Sequence, residues 1–471
     1  MASEGSTPDP VLPDPTSPEV EPIPGESHVV RGLHRHEVRQ NYWAIVISEA
    51  AAAGFLTLRS GYLGAVFEPV SSTVFAITFA ATAHRWLSPL VAPLIGRLSD
   101  RSARLGGRRK PFMAAGLIVI GVASVLLGVG PRSYWPMVLI VAIASVGWTS
   151  YRIPRFSATP DLFGQSIWAG MEVSLAIAGL LPNLFIQVVI NRTWERSHST
   201  AFVFAGVVAL IGGIYVLLRV KEPRVEQEIA AARASGMTIQ ERLHYVASHR
   251  NLLVLLVAVG IISTAASPVA PLYVLYAGKV LGVGARTVAA AGIYGSLVAL
   301  PLVPLVGIVA ARLDRKVVGV GCLAIATFLA IKAYNASDIV TITAYGVVAA
   351  LIGVAIAVSL GTLLLVLFPR EVLAEIAGLW TAITTIGSIA VSYGVSIGIQ
   401  VTGNWRLVWL PLIFGCPAAL VCLLFLDLPQ RYRRPDISKL RSSMRTSLQA
   451  GIRGFGPAAP DHSGHSPEER A

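Results

Sequence analysis

Four ionisable residues stand inside long apolar runs of this sequence: Glu49, His84, Arg85 and Glu172. A charge at the centre of a bilayer costs about 2.5–3.5 kcal/mol on insertion scales, so such residues persist when they pair or serve transport. An acid that faces an arginine in a cavity can titrate near neutral pH, as a proton carrier must. The sequence therefore predicts a proton-coupling set of these four residues, with Arg85 paired to an acid. A permanent structural ion pair is the alternative.

The role of His84 stays open between proton transfer and packing. Its unperturbed pKa near 6.5 suits proton transfer. On a continuous helix, however, His84 and Arg85 point about 100° apart and cannot share one face. We therefore expect Arg85 to face the cavity.

Aromatic and amide side chains on the apolar runs are candidates for hydrogen bonding to a polar solute. Tryptophan near a helix end is also typical of an interfacial belt. Arg152 and Arg155 end the fourth run and are expected to be interfacial anchors, with pairing to Asp161 or contact with the solute as the alternatives. The predicted solute-binding residues are Arg85, Trp148, Tyr151, Asn183, Gln187, Tyr294 and Trp380.

A second kind of chemistry is suggested by the loop that reads GRLSDR at 96–101 and GGRRKPF at 106–112. An acid here can cap a helix or pair with the arginines, and a glycine permits close helix contact. Such a cluster can latch two parts of a protein in one state, whereas a loop that only sets topology is the alternative. The predicted gating residues are Gly96, Asp100, Arg101, Arg108 and Arg109, with Asp314 and Arg315 of a similar later stretch.

The elements that must position these residues are transmembrane helices. The chain has 471 residues, of which 54% are hydrophobic and 14% charged, whereas soluble domains are about 25% charged. A spanning helix needs about 20 mostly apolar residues. Such runs lie near 41–62, 71–96, 112–130, 134–154, 166–190, 201–219, 251–275, 286–310, 317–333, 340–365, 375–400 and 407–427.

The basic residues predict the orientation of these spans. The net charge of +12 is spread over loops between apolar runs, so it presents no basic face to nucleic acid. With both termini in the cytoplasm, 29 Lys and Arg residues fall on the cytoplasmic side and 8 on the other, with Arg85 within a span. An excess on the inner side supports an even number of helices with both ends inside.

Two pairs of similar segments indicate a duplication. PLVAPLIGRLSDR at 89–101 matches PLVPLVGIVAARLDRK at 301–316, and 159–170 matches 368–378 more weakly. Both pairs are offset by roughly 210 residues, as expected for inverted or parallel repeats in transporters. The expected organisation is two pseudo-symmetric six-helix bundles at 41–219 and 251–427, joined by a cytoplasmic loop at 220–250. The expected tails are 1–40, disordered, and 428–471, basic and cytoplasmic.

The loop at 88–112, SPLVAPLIGRLSDRSARLGGRRKPF, resembles the signature of the major facilitator superfamily. In its long form it is similar to sucrose transporters and to glycoside–pentoside–hexuronide:cation symporters, as is IPRFSATPDL at 153–162. The resemblance implies an all-α fold of twelve spans with alternating access, in which Glu49 is the first candidate proton carrier and Glu172 the second. Ser88 and Ala92 match the positions of two sodium-binding aspartates, so a proton is favoured over sodium.

The expected function is proton-coupled transport of a small polar solute, a sugar or glycoside, across the cell membrane by a monomer without metal or cofactor. A proton-driven exporter of a drug-like or apolar compound is the alternative. A membrane enzyme would need a clustered catalytic set, and the sequence has none. A non-transporting receptor of the same fold would differ in that its buried charges affect no flux.

Overall fold

The computed structural model describes residues 33–101, 107–130, 132–222, 239–367 and 373–428. These residues form α-, 3₁₀- and π-helices, with no strand among them, and all belong to one compact unit. Much of the predicted N-terminal tail, the central loop and the C-terminal tail lies outside the described residues. The boundaries of the two bundles therefore stay a prediction.

Twelve helical segments of the described chain match the twelve predicted spans. Eleven are long and apolar enough to cross a membrane, and the remaining one, α2, is divided. In chain order they are α1 (Arg35–Thr57, Leu58–Tyr62, Leu63–Phe67 and Glu68–Val70), α2 (Val74–Thr82, Ala83–Arg85 and Ser88–Arg101), α3 (Lys110–Val129), α4 (Tyr134–Leu162), α5 (Gln165–Thr193), α6 (Ser199–Arg219), α7 (Arg250–Ala265 and Val269–Leu281), α8 (Ala285–Arg312), α9 (Arg315–Asn335), α10 (Ile339–Ile356, Ala357–Gly361 and Thr362–Leu367), α11 (Leu373–Thr402) and α12 (Trp405–Trp409 and Leu410–Leu424).

The division of α2 has a cause in its sequence. Pro89 has no N–H for an intrahelical hydrogen bond, and its ring clashes with the carbonyl four residues earlier, which belongs to Arg85. The residue before a proline also avoids the helical region. The chain accordingly tightens into a 3₁₀ turn at Ala83–Arg85 and begins a new helix at Ser88.

A second irregularity lies in α1, where Leu58–Tyr62 forms a π-helical turn. Such a turn inserts one residue into the helix and often occurs at functional sites. It changes the direction in which Arg59 and Ser60 project. The helix then continues to Val70, so Arg59 lies well inside α1 rather than at its end.

The first six helices contact the last six at both ends of the bundle. At the end that carries Asp100, here called the inner end because it is predicted to be cytoplasmic, α2 crosses α11. Gly96 and Gly378 allow this approach, because a Cβ on either would overlap a backbone carbonyl of the other helix. At the opposite, outer end, Lys279 Nζ of α7 lies 3.3 Å from Glu68 Oε1 of α1.

We expect Gly96→Ala to separate the inner ends of α2 and α11, because its methyl group would meet the carbonyl oxygen of Ala374. A cysteine at cavity residue Ser60, in a background without native cysteines, should then react faster with a membrane-impermeant reagent supplied from the Asp100 side. Gly346→Ala is the control, since a Cβ there meets no atom within 4 Å. Equal labelling rates for the two variants would contradict the prediction.

Candidate solute-binding site

Three arginines from three helices converge near the middle of the bundle. The Cζ atoms of Arg59 and Arg152 lie 4.5 and 5.9 Å from the ring centroid of Trp148, which is at the centre of α4. Arg85 is close enough to both arginines to repel them electrostatically. Stacking on an indole ring is a favourable arrangement for a guanidinium group. The result is a cationic cluster, defined as Arg59, Arg85 and Arg152, midway along α1, α2 and α4.

His84 holds Arg85 in this cluster. Arg85 Nε donates a hydrogen bond to His84 Nε2 (3.2 Å), so the imidazole is neutral and its Nδ1 donates to the carbonyl of Ala81 (2.7 Å). Arg85 Nη1 is buried and has no hydrogen-bond partner among the described residues. His84 and Arg85 were expected to point apart, but the Arg85 side chain is long enough to reach the neighbouring imidazole ring. The geometry gives His84 a positioning role, and proton transfer by His84 stays a prediction.

The expected pair between Arg85 and an acid was also wrong. Glu49 instead pairs with Arg155, whose Nε lies 3.2 Å from Glu49 Oε2, and Tyr151 donates to the same oxygen at 2.9 Å. Glu172 lies within electrostatic range of both Glu49 and Arg155. Arg155 is available because α4 continues to Leu162, so this residue lies inside the bundle and not at an interface as predicted.

The charges of this region do not balance. Four arginines, Arg59, Arg85, Arg152 and Arg155, face two carboxylates. Both carboxylates lie near Arg155, and Glu49 is also within electrostatic range of Arg152. Within the described part of the chain, no ion pair involves any member of the cationic cluster. The region therefore carries a surplus of two positive charges (four minus two) when both acids are ionised.

Two neighbouring cavities of about 450 and 460 Å³ lie beside this region. They adjoin one another, because they share five lining residues: Thr57, Ser60, Leu180, Asn183 and Ala350. The first cavity reaches Glu49, Arg155 and Glu172. The second extends between α5 and α8 to Gln187.

Besides Arg85, six residues were predicted to bind solute, and the structure places them differently. Trp148, Tyr151, Asn183 and Gln187 lie at the cationic cluster, the carboxylate pair or the cavities, although no bound solute tests their role. Tyr294 is 70% exposed and lines neither cavity, since α8 turns Gly292, Gly295 and Ser296 inward instead. The prediction for Tyr294 was therefore wrong.

Trp380, the remaining predicted solute-binding residue, packs against α7. A Cβ on Gly260 would lie 2.6 Å from Trp380 Cη2, so the indole ring occupies the space that this glycine leaves. The contact joins α11 to α7. A direct role of Trp380 in solute binding stays a prediction.

Arg59 was missed at the level of sequence, where it was counted among the basic residues outside the membrane. The reason is that the first span was ended at 62. A signal was present, since the apolar segment LGAVF at 63–67 continues the helix beyond Arg59. Thirty-five residues, His36–Val70, thus form one candidate span.

At the inner end, Asp100 joins the two sets of six helices. Its Oδ1 accepts hydrogen bonds from Arg108 Nη2 (3.0 Å) and Arg109 Nη1 (3.1 Å). Its Oδ2 accepts from the backbone N–H of Glu375 (2.9 Å) at the beginning of α11. An acid at a helix N-terminus is stabilised by the unpaired N–H groups there. Arg109 also pairs with Asp161 at the end of α4, so the loop connects α2, α3, α4 and α11.

Two further findings complete this loop. The carboxylate of Glu222, which follows α6, accepts hydrogen bonds from the backbone N–H groups of Arg108, Arg109 and Lys110 and so caps α3. Nothing in the sequence indicated this cap, because Glu222 and the residues that it caps are more than a hundred positions apart. The side chain of Arg101 lies outside the described residues, and its gating role stays a prediction.

The repeated motif at 314–316 makes contacts that differ from those of Asp100. Asp314 Oδ1 accepts from the backbone N–H groups of Lys316 (2.8 Å) and Val317 (3.4 Å), so it caps its own helix, α9. Lys316 Nζ donates to carbonyls at the end of α12. Both contacts stay within the last six helices and stabilise that part of the described chain, so a gating role for Asp314 and Arg315 stays a prediction.

A broken α2, twelve spans and a cavity lined from both sets of helices define a membrane transport protein with two pseudo-symmetric parts. The family model described as "Major Facilitator Superfamily" matches residues 42–358. The chain belongs to the major facilitator superfamily, and it is a multi-pass membrane protein that transports a solute rather than an enzyme. The narrower likeness to sucrose transporters and cation symporters is not supported by this match.

Among solved structures, the chain is similar to the human organic anion transporter MFSD10 (TETRAN). The two share 12% sequence identity with a TM-score of 0.61, over 83% of this chain and 99% of that one. At this identity the likeness concerns the fold alone. No curated protein matches the sequence.

The contacts of Asp100 lead to a kinetic prediction. Asp100→Asn keeps the shape of the side chain but weakens its bonds to Arg108 and Arg109, so the inner closure should form less readily. We expect transport to slow by at least about tenfold, equivalent to about 1.4 kcal/mol, while solute affinity changes little. Flux and binding are to be measured on the same proteoliposome preparation.

The control is Asp314→Asn, which removes only a cap within α9 and should leave flux near that of the unchanged protein. Equal losses of binding and flux in Asp100→Asn would show that this carboxylate shapes the solute site and does not act as a latch.

Proposed function

We propose that this protein is a secondary active transporter that carries a small organic anion together with protons. The observation that carries the proposal is the cationic cluster, in which no arginine pairs with a carboxylate among the described residues. Each uncompensated charge at mid-membrane depth costs about 2.5–3.5 kcal/mol. A bound anion would offset that cost, and arginine side chains can bind a carboxylate or phosphate through two parallel hydrogen bonds.

Two neighbouring features support an anion over a neutral sugar. A neutral sugar would leave the cluster without a counter-charge, whereas an anion uses the unpaired Nη1 of Arg85. The structurally similar human protein is an organic anion transporter, which agrees with an anionic solute. The sugar expectation came from the loop resemblance, and the polar cavity lining suits hydroxyl groups on an anion equally well.

Proton coupling is proposed for Glu49 and Glu172. Both line the same cavity beside Arg155, so the charge around this arginine depends on whether one of the two acids carries a proton. Protonation raises the local surplus from two positive charges to three. An anion then binds more tightly, and by linkage a bound anion favours the proton.

This sign of the coupling favours symport, because proton and solute assist each other's binding. An exporter that exchanges protons for solute requires the opposite sign. An apolar solute would gain nothing from the arginines, so the exporter of a drug-like compound is the weaker alternative.

Arg59→Gln and Arg85→Gln test the anion site. Each removes one charge-assisted hydrogen bond worth about 1.5–3 kcal/mol, so the affinity for an anion should fall by roughly tenfold to a hundredfold. Uptake of a panel of organic anions and neutral sugars into proteoliposomes measures the effect. Arg286→Gln is the control. The side chain of Arg286 is 61% exposed and forms a long ion pair of 3.8 Å with the exposed Glu195, so its loss should not affect solute binding. Uptake of neutral sugars alone, unaltered by both variants, would reject the proposal.

Glu49→Gln tests the proton carrier. It mimics the protonated acid, so accumulation driven by a pH gradient should disappear while exchange of labelled solute across the membrane continues. Glu172→Gln is tested in parallel, since this residue shares Arg155. Normal accumulation in both variants would show that these carboxylates are structural.

A further inference from the structure

The second cavity has a chemistry that the cationic cluster does not explain. It is about 460 Å³ in volume and lies between α1, α5, α7, α8 and α10. Its lining contains no charged residue but many hydroxyl and amide groups: Thr57, Ser60, Tyr62, Asn183, Gln187, Tyr273, Ser296 and Thr343. We call it the α5–α8 compartment.

The compartment begins where the cationic cluster ends. Arg59 and Ser60 are consecutive residues of the π-helical turn in α1. Arg59 projects to Trp148 of α4, whereas Ser60 lines the cavities on the side of α5. Ser60 also lines the first cavity, which reaches Arg155, so the compartment adjoins the cavity that borders the charged region.

Part of the hydrogen-bonding capacity of the compartment is already used, and part is free. Asn183 accepts from Thr57 Oγ1 (3.0 Å) and donates to Ser296 Oγ (3.1 Å), which ties α5 to α8. Gln187 Oε1 accepts from the hydroxyl of Tyr62 (2.6 Å). Its Nε2 has no protein acceptor among the described residues. Because Gln187 lines the compartment, this amide group can donate to a solute oxygen, and one such hydrogen bond contributes about 0.5–1.5 kcal/mol.

The walls of the compartment leave room for such a group. A Cβ placed on Gly61 of α1 or on Gly346 of α10 would meet no atom within 4 Å, so both glycines border open space. Gly292 of α8 has a different role, because a Cβ there would lie 2.9 Å from the side-chain Nε2 of Gln187. That glycine thus lets Gln187 lie against α8.

We infer that the α5–α8 compartment binds the uncharged, hydrogen-bonding part of the solute, so that the transported anion carries hydroxyl or amide groups beside its charge. This inference rests on the proposed function and narrows its solute class. A site built to hydrogen-bond a solute discriminates strongly against analogues that lack those groups, because its own polar atoms are then left unpaired. An aliphatic acid of equal length should accordingly bind less well.

The test compares two carboxylates, gluconate and hexanoate, which have the same number of carbon atoms and the same charge but differ in hydroxyl groups. Affinities are taken from thermal stabilisation of the purified full-length protein over a concentration series of each probe. The unchanged protein should bind gluconate more tightly. Gln187→Leu should weaken gluconate by about tenfold, the loss of one hydrogen bond, and leave hexanoate unchanged.

A second variant tests the same inference independently, in case Gln187→Leu does not fold. Gly346→Leu fills the compartment from α10 with a residue that favours helix, so it should exclude the polyhydroxylated chain of gluconate but leave binding of acetate intact. Tyr294→Phe is the control, because that side chain is 70% exposed on α8 and should alter no affinity.

Each outcome separates the inference from the proposed function. Equal effects of Gln187→Leu on gluconate and hexanoate, or none on either, overturn the inference and leave the anion site intact. Unaltered binding of both probes in Arg85→Gln overturns the anion site itself. Absence of stabilisation by gluconate, hexanoate and acetate overturns both.

Discussion

The feature on which the rest of this structure depends is positive charge held at the middle of an apolar bundle. Four guanidinium groups and two carboxylates lie at mid-depth, where neither water nor lipid supplies full compensation. Each arginine is positioned by a specific contact: the ring of Trp148 for Arg59 and Arg152, a neutral histidine for Arg85 and the carboxylate of Glu49 for Arg155. The region keeps a net positive charge, which a negatively charged solute would offset.

The backbone irregularities of α1 and α2 make this arrangement possible. The π-helical turn of α1 changes the directions in which Arg59 and Ser60 project, and α2 is interrupted at the 3₁₀ turn that contains His84 and Arg85. Each irregularity costs helical hydrogen bonds, which is tolerated inside a membrane protein where the freed groups border a cavity or find other partners. The same breaks divide the interior into a charged part and a neutral polar part.

Alternation between states must act on the contacts at the two ends of the bundle. At the inner end the carboxylate of Asp100 bonds to two arginines and to the beginning of α11, while glycines bring the backbones of α2 and α11 together. At the outer end the contact includes the pair of Lys279 and Glu68, whose side chains are about half exposed. Exposed ion pairs contribute little, but Gly64 of α1 also lies against the carbonyl of Pro271 in α7, so close backbone contact joins the two sets of helices at the outer end as well.

The sequence alone determined the twelve spans, the superfamily and the loop at Asp100, because these depend on local hydropathy and on short motifs. It also identified Glu49, Arg85 and Glu172 as charges that need an explanation. Only the tertiary structure decided which charges meet. Pairing across helices depends on the depth and rotation of each one, and a π turn, a proline break and an α4 longer than expected altered both. For that reason Arg155 and not Arg85 faces Glu49, and Arg59 joins the interior.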